Sequence, residues 1–184
     1  PKNEEHLHSK VYFHKLGEDA QNDALIFGEG RPKDDMVGLS MSVDGKYLAI
    51  GLMNHLLVIY DTASWNEVAR SGSWNKVATF RDYSGNPNSI DFSTQYLAYV
   101  AKDGTVKIVD RDKLTLPYPL PIQTLGKPFH LFTSIRFSPA GDYLAVGDMN
   151  GNVFRYNTSS WRNLGSTNHG NKILSLDFSR NDNL

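Results

Sequence analysis

Six histidines, a doubled aspartate and one glycosylation sequon are the side chains that could do chemistry in this 184-residue chain. His6 and His8 stand two apart, so on an extended stretch they share a face, and His14 follows on the next stretch; imidazoles so placed could hold a metal ion. The plainer reading, incidental histidines at a polar, frayed chain end, carries more weight. Asp34 and Asp35 are neighbouring carboxylates of the kind that acid–base catalysis uses. They follow Gly30-Arg31-Pro32, however, and read as a solvated loop. Asn157-Thr158-Ser159 is an acceptor sequence for N-glycosylation, expected to go unused at a strand end. Cysteine is absent, which excludes disulfides and thiolate chemistry. The sequence holds no glycine-rich phosphate loop, no Cys/His metal spacing, and no nucleophile with a visible base. No catalytic residue, cofactor or bound metal is expected.

The charge pattern is equally plain. Nineteen basic and 20 acidic residues leave a net charge of −1, so nothing steers the chain toward nucleic acid or an anionic membrane. No apolar run is long enough to span a bilayer and no secretory leader is visible, which makes a cytoplasmic location the expectation. The sequence opens at Pro1, not Met, which points to processing or tag removal.

The elements that must position any site announce themselves by repetition. Leu39–Asp61 reads LSMSVDGKYLAIGLMNHLLVIYD, Ile90–Asp110 reads IDFSTQYLAYVAKDGTVKIVD, Ile135–Asn157 reads IRFSPAGDYLAVGDMNGNVFRYN, and a fourth copy starts at Leu176–Ser179. The recurring serines Ser42, Ser93, Ser138 and Ser179 stand 51, 45 and 41 residues apart. Units of that length, each with a short apolar strand such as Tyr143-Leu144-Ala145-Val146 and an alternating one such as Val106-Lys107-Ile108-Val109, match the blades of a β-propeller. The predicted fold class is all-β: a propeller of four-stranded antiparallel blades, about four per chain. In each unit strand A lies on the Ser phrase, strand B on the "YLAVG" phrase and strand C on the "TVKIVD" phrase. A weaker strand D follows, over Lys76–Phe80 and Leu120–Leu125. Asp103-Gly104 and Asn150-Gly151 favour two-residue hairpin turns between B and C. The first copy has Asn54-His55 there, and His accepts positive φ less readily than Gly, so that hairpin is expected to be longer or strained.

The three copies resemble the WD-repeat propellers over about residues 39–184, most closely along Phe137–Asn157. The Trp-Asp signature of strand C is replaced by Tyr60-Asp61, Val109-Asp110 and Tyr156-Asn157. The Gly-His pair that opens a unit is missing, with only a reversed His169-Gly170 before the last copy. The segment from about 10 to 50 resembles instead the propeller of the prolyl oligopeptidase family, on Lys10–Gly17, Asp23–Phe27 and Leu39–Ile50. That resemblance implies a C-like strand at Lys10–Leu16 and a D-like strand at Ala24–Gly28. It implies no peptidase activity, because no Gly-x-Ser-x-Gly elbow is present. Ser64-Trp65-Asn66-Glu67-Val68-Ala69 is repeated as Ser73-Trp74-Asn75-Lys76-Val77-Ala78. The doubling marks either a local duplication or a junction in an engineered or recombined chain.

The expected organisation is one propeller or half-propeller domain over 1–184. It comprises N-terminal C/D-type strands (1–38), three blades (39–85, 86–126, 127–170) and strand A of a shared blade (171–184, the strand itself about Lys172–Ser179). Such an array closes as a four-bladed monomer or, preferably, as a dimer completing a ring of about eight blades. Asp61, Asp110 and Asn157 recur at one place, which argues for a turn or inter-strand hydrogen bond. Trp65, Trp74 and Trp161 lie in C–D connections and are expected to pack over blade edges, with anchoring of a partner as the alternative. Leu116–Pro121, in another C–D connection, reads as a stiff outer loop or, second, as a peptide-like contact segment. The functional expectation is a non-enzymatic scaffold for an unidentified protein or peptide partner, with no role for nucleic acid or membrane. Partners would dock on the loops before strand A, around Lys33, Asp34, Asp35, Asn86, Asn88, Phe129, His130, His169 and Asn171. A detached gating propeller of a prolyl oligopeptidase-like enzyme and a designed protein without a natural ligand are the alternatives.

Overall fold

The repeated phrases become the strands of three sheets. The computed structural model of the chain describes residues 10–30, 37–62, 75–84, 86, 89–115 and 119–180. The first blade is formed by β3 (Val37–Met41), β4 (Tyr47–Leu52), β5 (Leu57–Asp61) and β6 (Asn75–Phe80). The second is β7 (Ile90–Phe92), β8 (Tyr96–Val100), β9 (Val106–Asp110) and β10 (Gln123–Leu125). The third is β11 (Phe132–Phe137), β12 (Tyr143–Asp148), β13 (Asn152–Asn157) and β14 (Asn163–Asn168). Each is an antiparallel meander in sequence order, and the inner strands β3, β7 and β11 stand next to one another. A separate hairpin of β1 (Val11–Phe13) and β2 (Ala24–Phe27) precedes them. The structure is thus the expected all-β array of four-stranded blades. Strand β14 was not legible beforehand, because NLGSTN is polar and exposed along its whole length and carries no apolar alternation to read.

The recurring Ser–Tyr spacing has a local cause. The Ser42, Ser93 and Ser138 hydroxyls accept the amides of Tyr47, Tyr96 and Tyr143 at 2.9, 2.9 and 3.2 Å. Each serine therefore closes the A–B turn on the residue that opens strand B. The Thr158 hydroxyl, just after strand C, donates to the Gly141 carbonyl at 2.7 Å, and Thr62 bonds Gly45 in the same way. At the opposite end the B–C links are longer than two-residue turns: Met53–Leu56, Ala101–Thr105 and Met149–Gly151. His55, Gly104 and Gly151 occupy one position there, at φ 69°, 84° and 85°. The first hairpin accommodates His55 by placing that residue itself in the left-handed region. Its ring Nδ1 lies 3.2 Å from both the Tyr83 and Ser84 carbonyl oxygens.

Blades stack through alternate faces of their B strands. Tyr47, Ala49, Leu57 and Ile59 of the first blade meet Ile90, Phe92, Leu97 and Tyr99 of the second. Val100, Val106 and Ile108 on the second blade's far face meet Ile135, Phe137, Leu144 and Val146 of the third. Each fully buried Leu, Ile or Val contributes about 1.5–3 kcal/mol, and the B strands are buried almost throughout. The β1–β2 hairpin packs Val11, Phe13, Ile26 and Phe27 on Leu48, Ile50 and Leu52. It therefore covers the outer part of the first blade's free face, where the C and D strands of a preceding blade would lie.

The inner strands are tied by a polar belt. Asp91, 6% exposed, accepts the Phe137 amide at 2.8 Å and contacts Ser40 Oγ and Arg136 Nη1, each at 3.3 Å. Arg136 also reaches the Leu176 carbonyl at 3.3 Å and Asp177 at 3.7 Å. Ser40, Asp91, Arg136 and Asp177 are the same repeat position in four successive copies. Residues 172–179 nevertheless form no strand, contrary to expectation. An inner strand takes its ladder from strand B, and among the described residues no B strand lies beside this one. The segment is held instead by Thr133 Oγ1, which donates to the Ile173 carbonyl at 2.6 Å, and by Phe178 packed on Ala145 and Val153.

Candidate functional site

Because the blades are antiparallel meanders, the B–C turns and the loops before strand A share one end of the array. There the chain encloses a cleft of about 260 Å³. Its floor is Val100, Ala101, Phe132 and Thr133, all buried. Its rim comes from the first blade's turn (His55), the second blade's turn (Lys102, Gly104), the third blade's turn (Met149), and Lys172. Ser84 and Asn86 complete one wall, His130 and Leu131 another.

Hydrogen bonds tie the turns at this end to one another and to the core. The Asp148 carboxylate, 1% exposed, accepts the Asn150 and Asn152 amides at 2.9 and 2.8 Å and the Asn152 side-chain amide at 2.8 Å; it also lies 3.0 Å from His130 Nε2. Burial pushes its pKa up, but the Asn152 side chain and amide, His130 and the Asn150 amide outweigh that and hold it below the ordinary value. His130 also stacks on Phe132, with ring centroids 4.3 Å apart. Tyr83, fully buried, bonds the Asn86 carbonyl through its hydroxyl, and burial raises its pKa to about 12 against an opposing bond from Ser89. The Tyr99 hydroxyl donates to Asp82 at 3.0 Å and is pushed up by burial and by that carboxylate.

The nominated residues are distributed unevenly. Lys33, Asp34, Asp35 and Asn88 lie outside the described residues, as do His6, His8, Trp65 and Trp74. Asn86 and His130 line the cleft. Phe129 is adjacent, 91% exposed at φ 66°. His169 and Asn171 are exposed and do not line it; the His169 amide donates to the Gly151 carbonyl at 2.8 Å. Sequence reasoning passed over His55, Lys102, Leu131 and Met149. A histidine in the slot that two other copies give to glycine was the available signal for His55.

The other candidates resolve into local structure. His14 Nδ1 lies 2.7 Å from Asp23 within the hairpin. Among the described residues no three His, Cys, Asp or Glu side chains gather as metal ligands. Asp110 accepts the Asp112 amide at 3.0 Å, and Asn157 accepts the Ser160 amide at 3.0 Å. This recurring position therefore caps the turn after strand C. Trp161 packs edge-on against Tyr96, 5.1 Å between centroids, in the core between the second and third blades.

Two family models match the chain. Residues 1–86 match the prolyl oligopeptidase N-terminal β-propeller domain, and residues 121–157 match the WD domain, G-beta repeat. Prolyl oligopeptidase A of Amanita bisporigera is 26% identical over 123 residues, which is 64% of this chain and 14% of that protein. Among solved structures, a mitotic checkpoint complex chain aligns at TM-score 0.63 and 19% identity, covering 80% of this chain and 42% of that one. The β-propeller domain of Myceliophteria thermophila Cps50 (Swd1) gives TM-score 0.63 and 17% identity over 84% of this chain and 48% of its own. The WD40 domain of Toxoplasma gondii coronin gives 0.59 and 24% over 77% and 37%. The chain spans less than half of each of these propellers, and its fold is theirs. The Gly-His pair of the WD pattern, absent by sequence, has a working counterpart in the third blade. There Phe129-His130 supplies the positive φ and the imidazole that reaches Asp148.

Proposed function

We propose that the chain works without chemistry of its own, as a β-propeller scaffold that docks a protein or peptide partner on the end bearing the cleft. The observation that carries this is the convergence of turns from three rigid blades on one concave surface, edged by the exposed side chains of Leu131 and Met149. Loops set on packed blades are where such folds present binding residues. The test is selection of random dodecapeptides on the immobilised chain. Saturable one-to-one binders that are lost in Leu131→Glu, and kept in Thr94→Glu at the opposite end, are the expected result. Failure to enrich any such peptide refutes the reading.

We further propose that a second copy covers the inner part of the first blade's free face. Leu39 and Met41 are 53% and 42% exposed, whereas their counterparts Ile90, Phe92, Ile135 and Phe137 are at most 5% exposed. In those blades the covering surface is the preceding blade; here a partner chain's C-terminal segment would take its place. The family match over residues 1–86 favours one competing reading, a gating propeller for a prolyl peptidase domain supplied by another chain. Binding of an isolated prolyl oligopeptidase catalytic domain, with altered turnover of proline-containing peptides, would distinguish it.

A further inference from the structure

The cleft has a chemistry of its own. Four of its residues bear basic side chains, His55, Lys102, His130 and Lys172, and among the described residues no carboxylate lines it. Composition alone does not produce this, since the chain has one more acidic than basic residue. The carboxylates nearest in sequence already have partners: Asp82 takes the Tyr99 hydroxyl, Asp103 takes the Thr105 amide and hydroxyl at 2.9 and 2.6 Å, and Asp148 serves the third turn and pairs with His130 at 3.0 Å, so the cleft's uncompensated charge rests on the two lysines. Lys102 and Lys172 are exposed and enter no ion pair within the described residues.

The floor and one wall are apolar, with Val100, Phe132 and the exposed Leu131 and Met149. A volume near 260 Å³ falls below the roughly 300–1,000 Å³ of cofactor and drug-sized pockets. It suits one or two side chains of an extended peptide. Resting on the docking role proposed above, we infer that the cleft takes a peptide segment in which an anionic residue stands beside an aliphatic one. The anion sits between Lys102 and Lys172, and the aliphatic side chain rests on Val100 and Phe132. The anion can come from an aspartate or glutamate, or from a phosphorylated serine.

The test uses fluorescence anisotropy on the whole chain with acetylated heptapeptides in a Gly-Ser background. Each carries one Asp–Leu, Asn–Leu, Lys–Leu or phosphoserine–Leu pair, in both orders. The Asp–Leu or phosphoserine–Leu peptide should bind at least tenfold tighter than Asn–Leu, as expected for hydrogen bonds to a charged group, and should weaken with salt. Lys102→Gln with Lys172→Gln should erase that preference without moving the urea midpoint, whereas Lys127→Gln, outside the cleft, should not. Tighter binding by phosphoserine than by aspartate assigns the anion to a modified residue. Equal binding of Asp–Leu and Asn–Leu, binding indifferent to both lysines, no binding by any of these peptides, or equal binding of a single-stranded oligonucleotide overturns the inference. If the selected dodecapeptides still bind the loop end in any of those cases, the docking role stands and only the anionic preference falls.

Discussion

Removing the Asp91 side chain should break the polar belt that ties the inner strands. Asp91→Ala strands the buried Phe137 amide, whose bond to Asp91 is 2.8 Å. A buried donor left unsatisfied costs about 1–3 kcal/mol. The contacts to Ser40 and Arg136 are longer, 3.3 Å each. Arg136, with a 42% exposed side chain, keeps Leu176 and Asp177 as partners, so its loss is discounted. The total is about 2–4 kcal/mol, which for a urea m-value of about 2 kcal/mol/M shifts the midpoint by roughly 1–2 M. Asp91→Asn keeps an oxygen for the Phe137 amide and should cost about 1 kcal/mol or less at neutral pH. Burial raises the Asp91 pKa, and the Phe137 amide and then Arg136 oppose the rise without cancelling it. A raised carboxylate stabilises the fold fully below its unfolded value of about 3.9 and loses that contribution as pH rises through the folded value. The stability of the native chain minus that of Asp91→Asn should therefore fall as pH rises from about 4. The assay is urea unfolding followed by tryptophan fluorescence from pH 3.5 to 7. An Asn variant as unstable as the Ala variant, or a difference flat in pH, would refute the reasoning.

Three further outcomes follow from the packing. Asp148 has a depressed pKa, so its contribution is present above about pH 3.9 and lost as pH falls through the folded value; Asp148→Ala should cost about 2–4 kcal/mol at pH 7 by orphaning the third turn's amides and should flatten the acid limb of the unfolding curve. Gly147→Ala places a Cβ 2.4 Å from Ile173 Cγ2; it should destabilise by about 1–3 kcal/mol and speed hydrogen exchange and proteolysis within 172–179, and unchanged protection there would contradict the seating of that segment. Light scattering should give twice the 20.6 kDa chain mass, reverting to a single chain in Leu39→Glu with Met41→Glu; a native monomer would refute the pairing.

Local chemistry was legible in the sequence. Ser42, Ser93 and Ser138 announced the A–B turns because a hydroxyl accepting an amide a few residues on needs only neighbouring chain. The buried B strands stood out because they are apolar without interruption, and the glycines at 104 and 151 because their turns require positive φ. The cap at Asp110 and Asn157 was visible as recurrence. Strand β14 was not, since its polar residues owe their ladder to β13, a neighbour fixed by topology.

The site belongs to that second kind. Lys102, His130 and Lys172 are separated by tens of residues, and no local signal joins them. They meet because three meanders stack in register and bring turns from different blades to one end. The same stacking decides that Asp91 is a buried belt residue, and that Leu39 is exposed while Ile90, in an almost identical phrase, is buried. Period and pattern along the chain determine what each strand is. What it faces depends on which blade precedes it, and burial and electrostatics at such a distance arise only once the sheets have packed.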